Sequence, residues 1–255
     1  MLFKNKIIVI TGAASGIGKA LAKSFLNEGA IVISSDITFV DKKIDENHFQ
    51  KKCNVSSEDE INILIDFTLD KFQTIDIFCS NAGILSLGDE KTSDQEWKKN
   101  WDIHLMSHVF ICRRLIPQFK KQGGGYLVIT SSAAGLLTHI DSLSYSVTKH
   151  ASIAFAEWIA ISNKEFGINV SVLCPQAVKT NMTRGREKDV AAIDGMLEPN
   201  EVAKEVLSGI KKKKFLIMPH KQVFNYIKMK SENHERWISG MFKLKQKIKK
   251  SKWKQ

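Results

Sequence analysis

The sequence lacks the features that mark membrane-spanning, disulfide-stabilised and zinc-binding proteins. No apolar run approaches the roughly 18 residues that a helix needs to cross a bilayer. The four cysteines stand singly in apolar stretches without CxxC spacing, which predicts reduced core residues and no metal site. The first residues pass directly into a strand pattern instead of a signal region. We therefore expect a cytoplasmic protein.

Internal repeats are also absent, and no low-complexity linker precedes the lysine-rich end of the chain. Hydrophobic residues make up 43% of the sequence and charged residues 25%, which excludes a disordered or fibrous protein. The length of 255 residues fits one large α/β domain.

Short β-branched runs alternate with amphipathic helical patterns as far as about residue 220. This alternation predicts an α/β fold, a doubly wound parallel sheet of seven strands with helices on both faces. The predicted strands lie near residues 7–11, 30–36, 49–54, 76–80, 126–131, 169–175 and 215–219. The predicted helices lie near residues 16–28, 57–72, 94–121 with a break, 144–166 and 200–212.

The positive charge is confined to one end of the chain. The formal net charge is +11, yet residues 1–210 hold 23 Lys and Arg against 25 Asp and Glu. Residues 211–255 hold 15 against 2. We therefore divide the chain into a nearly neutral domain, residues 1–220, and a basic helical C-terminal extension, residues 221–255.

A glycine-rich turn joins the first strand to the first helix, in the sequence TGAASGIG at residues 11–18. Glycines let the backbone approach a pyrophosphate, and the helix dipole favours negative charge. The turn therefore predicts a phosphate site, although its spacing differs from GxGxxG and a tight turn without ligand is the alternative. The residues expected there are Gly12, Ser15, Gly16, Ile17 and Gly18.

Asp36 ends the second predicted strand. Its carboxylate can accept hydrogen bonds from both hydroxyls of an adenosine ribose and would repel a 2′-phosphate. No Lys or Arg lies in residues 13–15 to attract such a phosphate. This pattern favours NAD over NADP, and a solvated aspartate at a strand end is the alternative.

Tyr145 and Lys149 are four residues apart on one predicted helix and therefore share a face. The lysine charge stabilises a phenolate, so we expect the Tyr145 pKa to fall from about 10 towards neutrality and the phenol to act as a general acid/base. The hydroxyl of Ser132 can hydrogen-bond a substrate oxygen. A surface Tyr–Lys pair without a role is the alternative.

Four segments together resemble the short-chain dehydrogenase/reductase family, in its order and spacing: TGAASGIG, SNAG at residues 80–83, Ser132, and YSVTK at residues 145–149. The resemblance covers about residues 5–220. It implies a single-domain Rossmann fold, a nicotinamide cofactor and hydride transfer at a carbinol or carbonyl carbon. It also implies that Ser132, Tyr145 and Lys149 are catalytic and that Lys149 binds the nicotinamide ribose.

The resemblance implies further cofactor contacts, with two departures. Asn54 stands where an aspartate often contacts adenine, and Gln176 replaces the glycine of the family's PGxVxT in PQAVKT at residues 175–180. The implied cofactor-binding residues are Gly12, Ser15, Gly16, Ile17, Gly18, Asp36, Asn54, Val55, Asn81, Ala82, Gly83, Tyr145, Lys149, Pro175, Val178 and Thr180.

His104 stands where the family usually has an asparagine that supports a proton relay. With its ordinary pKa of about 6.5, a histidine would make that relay pH-sensitive, and a space-filling helix histidine is the equal alternative. His104 and His108 are an i,i+4 pair that could ligate zinc, but neither HExxH nor a third ligand accompanies them. We expect no metal.

Residues 178–198 lack periodicity and resemble the family's mobile substrate-binding segment, so we expect a lid there. Several residues predict a largely apolar pocket, and core packing is the alternative for each of them. They are Ile84, Leu85, Leu136, Leu137, His139 and Met182. The expected substrate is a hydrophobic alcohol or ketone, lipid-like or steroid-like.

Aromatic residues stand among the lysines of the extension at roughly helical spacing. Such a segment is typical of helices on anionic membranes, where Phe224, Trp237, Phe242 and Trp253 would insert. An accessory helix that packs on the body is the alternative. Nucleic acid is disfavoured because no reader motif is present and the body is not basic.

These observations predict an NAD(H)-dependent oxidoreductase that interconverts a secondary alcohol and a ketone. By resemblance, the long helices near residues 102–121 and 144–166 imply a homodimer or homotetramer. The alternative is a cofactor-binding scaffold or sensor with vestigial catalysis, whose tail engages a membrane or a partner. Only the departures at His104 and Gln176 support that alternative.

Overall fold

The strands form one sheet in a computed structural model that describes residues 2–252. They are β1 (Ile7–Thr11), β2 (Ile31–Asp36), β3 (Lys42–Asp45), β4 (His48–Lys52), β5 (Ile77–Ser80), β6 (Gly125–Thr130), β7 (Ile168–Leu173) and β8 (Leu216–Ile217). Their order in the sheet is β3-β4-β2-β1-β5-β6-β7-β8. Every neighbouring pair is parallel except β3 and β4. The chain runs outward from β1 in one direction and then returns to β5, which creates a topological switch point between β1 and β5.

Helices cover both faces of the sheet. They are α1 (Gly16–Asn27), α2 (Glu58–Phe72), α3 (Asp94–Trp101), α4 (Ser107–Lys121), α5 (Ala134–Leu137), α6 (Leu143–Ser162), α7 (Pro199–Lys211), α8 (Gln222–Glu232) and α9 (His234–Lys252). A π-helical segment, Asp102–Met106, joins α3 to α4 and accounts for the break predicted in residues 94–121.

The core has two layers because successive side chains of a strand point to opposite faces. In β1, Val9 packs with α2, α4 and α6, whereas Ile8 and Ile10 pack with α1 and α7. A strand that is buried on both sides carries a continuous apolar run, as β1 does. This packing brings the carboxyl ends of the parallel strands to one edge of the sheet.

The predicted fold class is confirmed, and the sheet contains one strand more than predicted. All four residues of β3 are exposed, so no apolar alternation identifies this strand in the sequence. It pairs antiparallel with β4 through a turn in which the Asn47 amide donates to Asp45 Oδ1 at 2.8 Å. The helix predicted over residues 144–166 ends at Ser162, and a 3₁₀ turn, Lys164–Phe166, follows it.

The C-terminal extension packs against the body through α8. Val223 is fully buried beside Ala133 and Leu137. The Tyr226 hydroxyl donates to Asp194 at 3.0 Å, and Lys230 Nζ donates to a carbonyl oxygen of α5 at 2.7 Å. None of the helices within residues 2–252 combines the length and the apolar character needed to cross a membrane. Trp253, predicted to insert into a membrane, lies outside the described residues.

Candidate active site

One cavity of about 1100 Å³ opens along the carboxyl ends of β1, β2, β5, β6 and β7. Every residue predicted to bind the cofactor lines this cavity, and so does Ser132. His104 does not line it, although the ring lies behind the wall at Gly83. The sequence motifs therefore meet at the switch-point edge, where doubly wound sheets bind ligands.

The turn after β1 is built so closely that it requires glycine. Gly12 has φ +67°, and a Cβ there would lie 2.8 Å from the Ala82 Cα. A Cβ on Gly18 would overlap the Gly12 carbonyl oxygen and lie 2.7 Å from Asn81 Nδ2. These glycines let the turn pack directly against Asn81 and Ala82, and the turn and the start of α1 line the cavity, an arrangement that fits a pyrophosphate.

Hydrogen bonds fix the ends of three strands around this turn. The Asn81 side chain donates to the Thr11 carbonyl at 3.0 Å, and the Thr11 hydroxyl accepts from the backbone amides of Asn81 and Ala82 at 3.0 and 3.1 Å. The Thr130 hydroxyl donates to Asn81 Oδ1 at 3.1 Å. Our sequence analysis missed Thr11 and Thr130. Their signal is position, because each is the last residue of a strand at the ligand-binding edge.

The Asp36 carboxylate is held at the cavity at the end of β2. One oxygen accepts from the Ala14 amide at 3.2 Å. The other accepts from the Thr38 amide at 3.0 Å and from its hydroxyl at 2.9 Å. These bonds link the acidic group directly to the glycine-rich turn, so a negative charge stands beside the phosphate cradle.

Ser132, Tyr145 and Lys149 come together at the inner part of the cavity. Ser132 follows β6, and the other two residues occupy the first turns of α6. The Ser132 hydroxyl accepts from the Ala134 amide at 3.1 Å and faces the phenol of Tyr145. Lys149 is only 3% exposed, its Nζ donates to the Thr130 carbonyl at 2.9 Å, and the same atom lies 5.7 Å from the centre of the Tyr145 ring.

The electrostatics of this group differ from our prediction. Burial lowers the pKa of Lys149 to about 7. Burial also raises the pKa of Tyr145, against the hydrogen bond from Ser132, which lowers it. The prediction that Lys149 brings the Tyr145 pKa down towards neutrality is therefore wrong. Removal from water favours the uncharged form of both groups.

His104 is fully buried, and both of its ring nitrogens have protein partners. The Ile84 amide donates to Nε2 at 3.1 Å, so the proton resides on Nδ1, which donates to the Thr148 hydroxyl at 3.0 Å. The ring contacts Tyr145 edge-to-face at 5.3 Å between centroids. Burial and then the Lys149 charge hold the His104 pKa well below its ordinary value, so the prediction of titration near pH 6.5 is wrong.

His108 is buried one helical turn after His104, and its partner is Ser80. Its Nδ1 is 2.6 Å from the hydroxyl of Ser80, and burial lowers its pKa to about 3. Within residues 2–252, no group of three or more His, Cys, Asp or Glu side chains is arranged to hold a metal ion.

The segment predicted as a lid, residues 178–198, is attached to the loop before α6 through Asp189. This carboxylate lies 3.0 Å from His139 Nε2 and 2.5 Å from Arg186 Nη2. Burial alone would raise the Asp189 pKa, but the hydrogen bonds from His139 and Arg186 hold it well below its ordinary value. The sequence analysis had no signal for this link, since it joins residues about 50 apart.

The apolar part of the cavity is close to the prediction. Ile84, Leu85, Leu137, His139 and Met182 line it. Leu136 does not, because its side chain packs towards α8 instead, and that prediction is wrong.

The sequence analysis missed the contribution of the extension to this cavity. Helices α8 and α9 supply many of its lining residues: Tyr226, Met229, Glu232, Asn233, Arg236, Trp237, Ser239, Gly240, Met241, Lys243 and Leu244. The basic amphipathic pattern of these helices does not say which surface they cover, so only the tertiary structure reveals this wall.

The sequence is similar to those of known dehydrogenases. The chain is 33% identical over 187 residues to the peroxisomal hydratase-dehydrogenase-epimerase of Saccharomyces cerevisiae, a match that covers 71% of this chain but only 21% of that protein. It is 29% identical over 199 residues to a 3beta-hydroxysteroid dehydrogenase of Mediterraneibacter gnavus, which covers 74% of this chain and 71% of that protein.

The fold is also that of solved structures. A short chain dehydrogenase/reductase from Burkholderia phymatum, solved in complex with NAD, aligns over 92% of this chain and 96% of its own with a TM-score of 0.82 at 22% identity. The sequence profile of the short chain dehydrogenases matches residues 6–191, a span that includes the glycine-rich turn, Ser132 and the Tyr145–Lys149 helix. Since that match covers well over half of the sequence, this chain belongs to the short-chain dehydrogenase family of NAD(P)-dependent oxidoreductases.

Proposed function

We propose that this protein is an NAD(H)-dependent oxidoreductase that interconverts a secondary alcohol and a ketone on a hydrophobic, lipid-like or steroid-like substrate. The observation that carries the proposal is the meeting of Ser132, Tyr145 and Lys149 at the inner part of the cavity that the glycine-rich turn opens into. The walls around them are mainly apolar, which suits a hydrophobic substrate.

The residues at the turn fit a dinucleotide, because Gly12 and Gly18 let the turn pack closely on Asn81 and Ala82 while the turn and the start of α1 line the cavity. A bound nicotinamide would accept or supply the hydride. Tyr145 exchanges the hydroxyl proton of the substrate, and Ser132 positions the substrate oxygen beside the phenol. Lys149 holds the nicotinamide ribose and, when protonated, places a positive charge 5.7 Å from the centre of the Tyr145 ring, which opposes the effect of burial on the phenol.

His104 acts in this proposal as a positioning residue. Its ring packs edge-to-face on Tyr145 and accepts a hydrogen bond from the Ile84 amide. It therefore holds the Tyr145 phenol in position against the cavity wall. This role replaces the pH-sensitive relay, since the pKa of the buried ring lies well below the neutral range.

The proposed cofactor is NAD in preference to NADP, and Asp36 supports this choice. Its carboxylate is fixed by three hydrogen bonds and stands at the cavity near the glycine-rich turn, where a 2′-phosphate would meet a like charge.

The test of the catalytic proposal is turnover with a panel of ketones and secondary alcohols. We expect NADH oxidation with hydrophobic ketones, and we expect Tyr145→Phe to reduce kcat by about a hundredfold or more while NADH affinity changes little. Tyr126→Phe is the matched control, because this phenol bonds Ser171 in the core, away from the cavity. Cofactor binding without turnover on any ketone would favour the scaffold or sensor alternative.

We also propose a homodimer or homotetramer. The outer face of α6 supports this, since Trp158 and Ile161 are 64% and 73% exposed on it. Exposed large apolar side chains in one patch are typical of interaction surfaces. Sedimentation velocity of the parent protein and of Trp158→Lys checks this, and a monomeric parent would contradict it.

We further propose that the protein is cytoplasmic and that its extension touches anionic membranes. The exposed apolar side chains Phe224, Ile238 and Phe242 support this proposal, because they stand among the lysines of α8 and α9 and face away from the body.

A further inference from the structure

Helix α9 presents an apolar stripe to the active-site cavity. Trp237, Met241 and Leu244 follow one another at helical spacing, are half-buried and line the cavity. Tyr226 and Met229 extend this wall along α8. A substrate bound with its reacting carbon at Tyr145 is therefore enclosed by residues of the extension as well as by the Rossmann domain.

Two basic side chains lie next to this stripe. Arg236 and Lys243 occupy the neighbouring helical positions on either side of Gly240, line the cavity and are exposed to solvent, which places them at its rim. Among the residues that the structure describes, neither side chain has an ion-pair partner or a hydrogen bond.

The other charged groups at the inner cavity and the lid are already engaged. Arg186 is held by Asp189 at 2.5 Å, and Lys149 Nζ donates to the Thr130 carbonyl. The carboxylate of Glu232, which also lines the cavity, is 3.8 Å from Lys228 Nζ. The available charge at the rim is therefore positive and belongs to Arg236 and Lys243.

From this arrangement, and resting on the proposed function, we infer that the substrate is an amphiphile with an anionic end, a carboxylate or a phosphate. Its apolar body would lie along Trp237, Met241 and Leu244, with the ketone or alcohol at Tyr145 and the anion at the rim. The guanidinium of Arg236 suits a planar oxyanion, and the ammonium of Lys243 adds a point charge. These two residues would determine specificity without taking part in the chemistry.

The inference is tested with matched ketones that differ only at the far end. The probes are a medium-chain methyl ketone with a terminal carboxylate, its methyl ester, and the corresponding alkyl phosphate. With parent enzyme and NADH, we expect kcat/KM for the carboxylate to exceed that for the ester by about five- to tenfold, mainly through KM. Comparing kcat/KM for the phosphate with that for the carboxylate shows which anion the rim binds better.

The double variant Arg236→Gln/Lys243→Gln should remove this preference by lowering kcat/KM for the carboxylate to the level of the ester. The matched control is Lys247→Gln/Lys250→Gln, which removes two charges from the same helix at residues that do not line the cavity. The control should keep the preference. High salt should reduce the preference of the parent enzyme as well.

The outcomes separate this inference from the proposed function. Turnover of all three ketones with no preference for the anions, or a preference that survives in the double variant, would overturn the inference and leave the proposed function standing. If no ketone is turned over, calorimetric titration of the NADH-loaded protein with dodecanoate and with its methyl ester decides the point. Tighter binding of dodecanoate that the double variant loses would support the anionic subsite alone, and equal binding would overturn it.

Discussion

At the scale of single residues, Lys149 shows how a side chain that we propose to be catalytic lowers the stability of the fold. Its ammonium is almost completely buried and has one hydrogen bond, to the Thr130 carbonyl. Burial lowers its pKa from 10.5 to about 7, so at neutral pH the folded protein binds fewer protons at this residue than the unfolded chain does. Between pH 7 and 10.5, the contribution of Lys149 to the free energy of unfolding therefore rises with pH.

We predict that Lys149→Met stabilises the protein while abolishing activity. The substitution removes the cost of a buried charge, on the order of a few kcal/mol, and this gain should be largest below pH 7. It should shrink as pH rises towards 10.5, where the lysine is neutral in both states. Urea denaturation of parent and variant at several pH values measures it. Lys19→Met, on an exposed position of α1, is the control, and a gain that does not change with pH would contradict the prediction.

We propose that one residue, Asp36, also determines which cofactor binds. We predict that NADH binds at least about tenfold more tightly than NADPH, because a close like-charge contact at Asp36 costs on the order of a few kcal/mol. Asp36→Asn keeps an acceptor for the Ala14 amide and removes the charge, so it should narrow this difference. Fluorescence titration with both cofactors measures the affinities, with Asp45→Asn in β3 as the control. Equal affinities in the parent protein would rule the prediction out.

The residues that could be predicted from sequence are those whose role depends on short spacing. Tyr145 and Lys149 share a helix face, and the glycines of residues 12–18 form one turn, so both groups were identified without the fold. The raised pKa of Tyr145 and the tautomer of His104 could not be predicted from the sequence. They depend on burial and on partners such as Ile84 that are distant in sequence.

At the scale of elements, replacing a glycine of the crowded β1–α1 turn and replacing one on the open surface of α9 should have opposite effects. We predict that Gly18→Ala weakens NADH binding by tenfold or more, since its Cβ would meet the Gly12 carbonyl and Asn81 Nδ2 and push the turn out of shape. Gly240→Ala is the control. A Cβ there has no atom within 4 Å, so this change should leave NADH binding intact and stabilise α9 by up to about 1 kcal/mol.

Titration with NADH and thermal unfolding of both variants measure these effects. Unchanged NADH affinity in Gly18→Ala would mean that the turn relaxes without loss of the cradle, and the packing argument for this glycine would then be wrong.

Elements with an apolar pattern were predicted from the sequence, and the others were not. The strands β1, β2, β5, β6 and β7 are buried and rich in β-branched and other apolar residues, whereas β3 is exposed throughout and depends on its antiparallel partner. Helices were also predicted for the extension, where α8 and α9 lie. Their contacts were not, because a basic amphipathic helix has the same pattern whether it covers a cavity, a membrane or a second protein.

At the scale of the whole molecule, the two helices of the extension serve different purposes. Helix α8 belongs to the folded body, as buried Val223 and the bonds of Tyr226 and Lys230 show. Helix α9 has no fully buried residue among those whose side chains are described, and it presents one face to the cavity and the other to solvent. We propose that α8 mainly stabilises the fold, while α9 mainly forms a wall of the binding cavity.

We predict that removing α9 and removing both helices have different results. Truncation after Asn233 should leave the fold and NADH affinity unchanged, because every predicted cofactor-binding residue precedes it. Truncation after Pro219 also exposes the surface under Val223, so it should lower the free energy of unfolding by roughly 2–4 kcal/mol. Denaturation curves and NADH titrations of the two truncated proteins measure this difference, and equal stabilities would contradict it.

The same truncations test the membrane proposal. Full-length protein should co-sediment with vesicles that contain anionic lipid, and less so as salt rises, since each lysine near the surface contributes about 1 kcal/mol of attraction. The protein truncated after Asn233 should lose this binding because it lacks Ile238, Phe242 and most of the lysines of the extension. Neutral vesicles are the control. If the full-length protein does not bind anionic vesicles, the membrane proposal is wrong, and the alternative of an accessory helix that packs on the body accounts for α9.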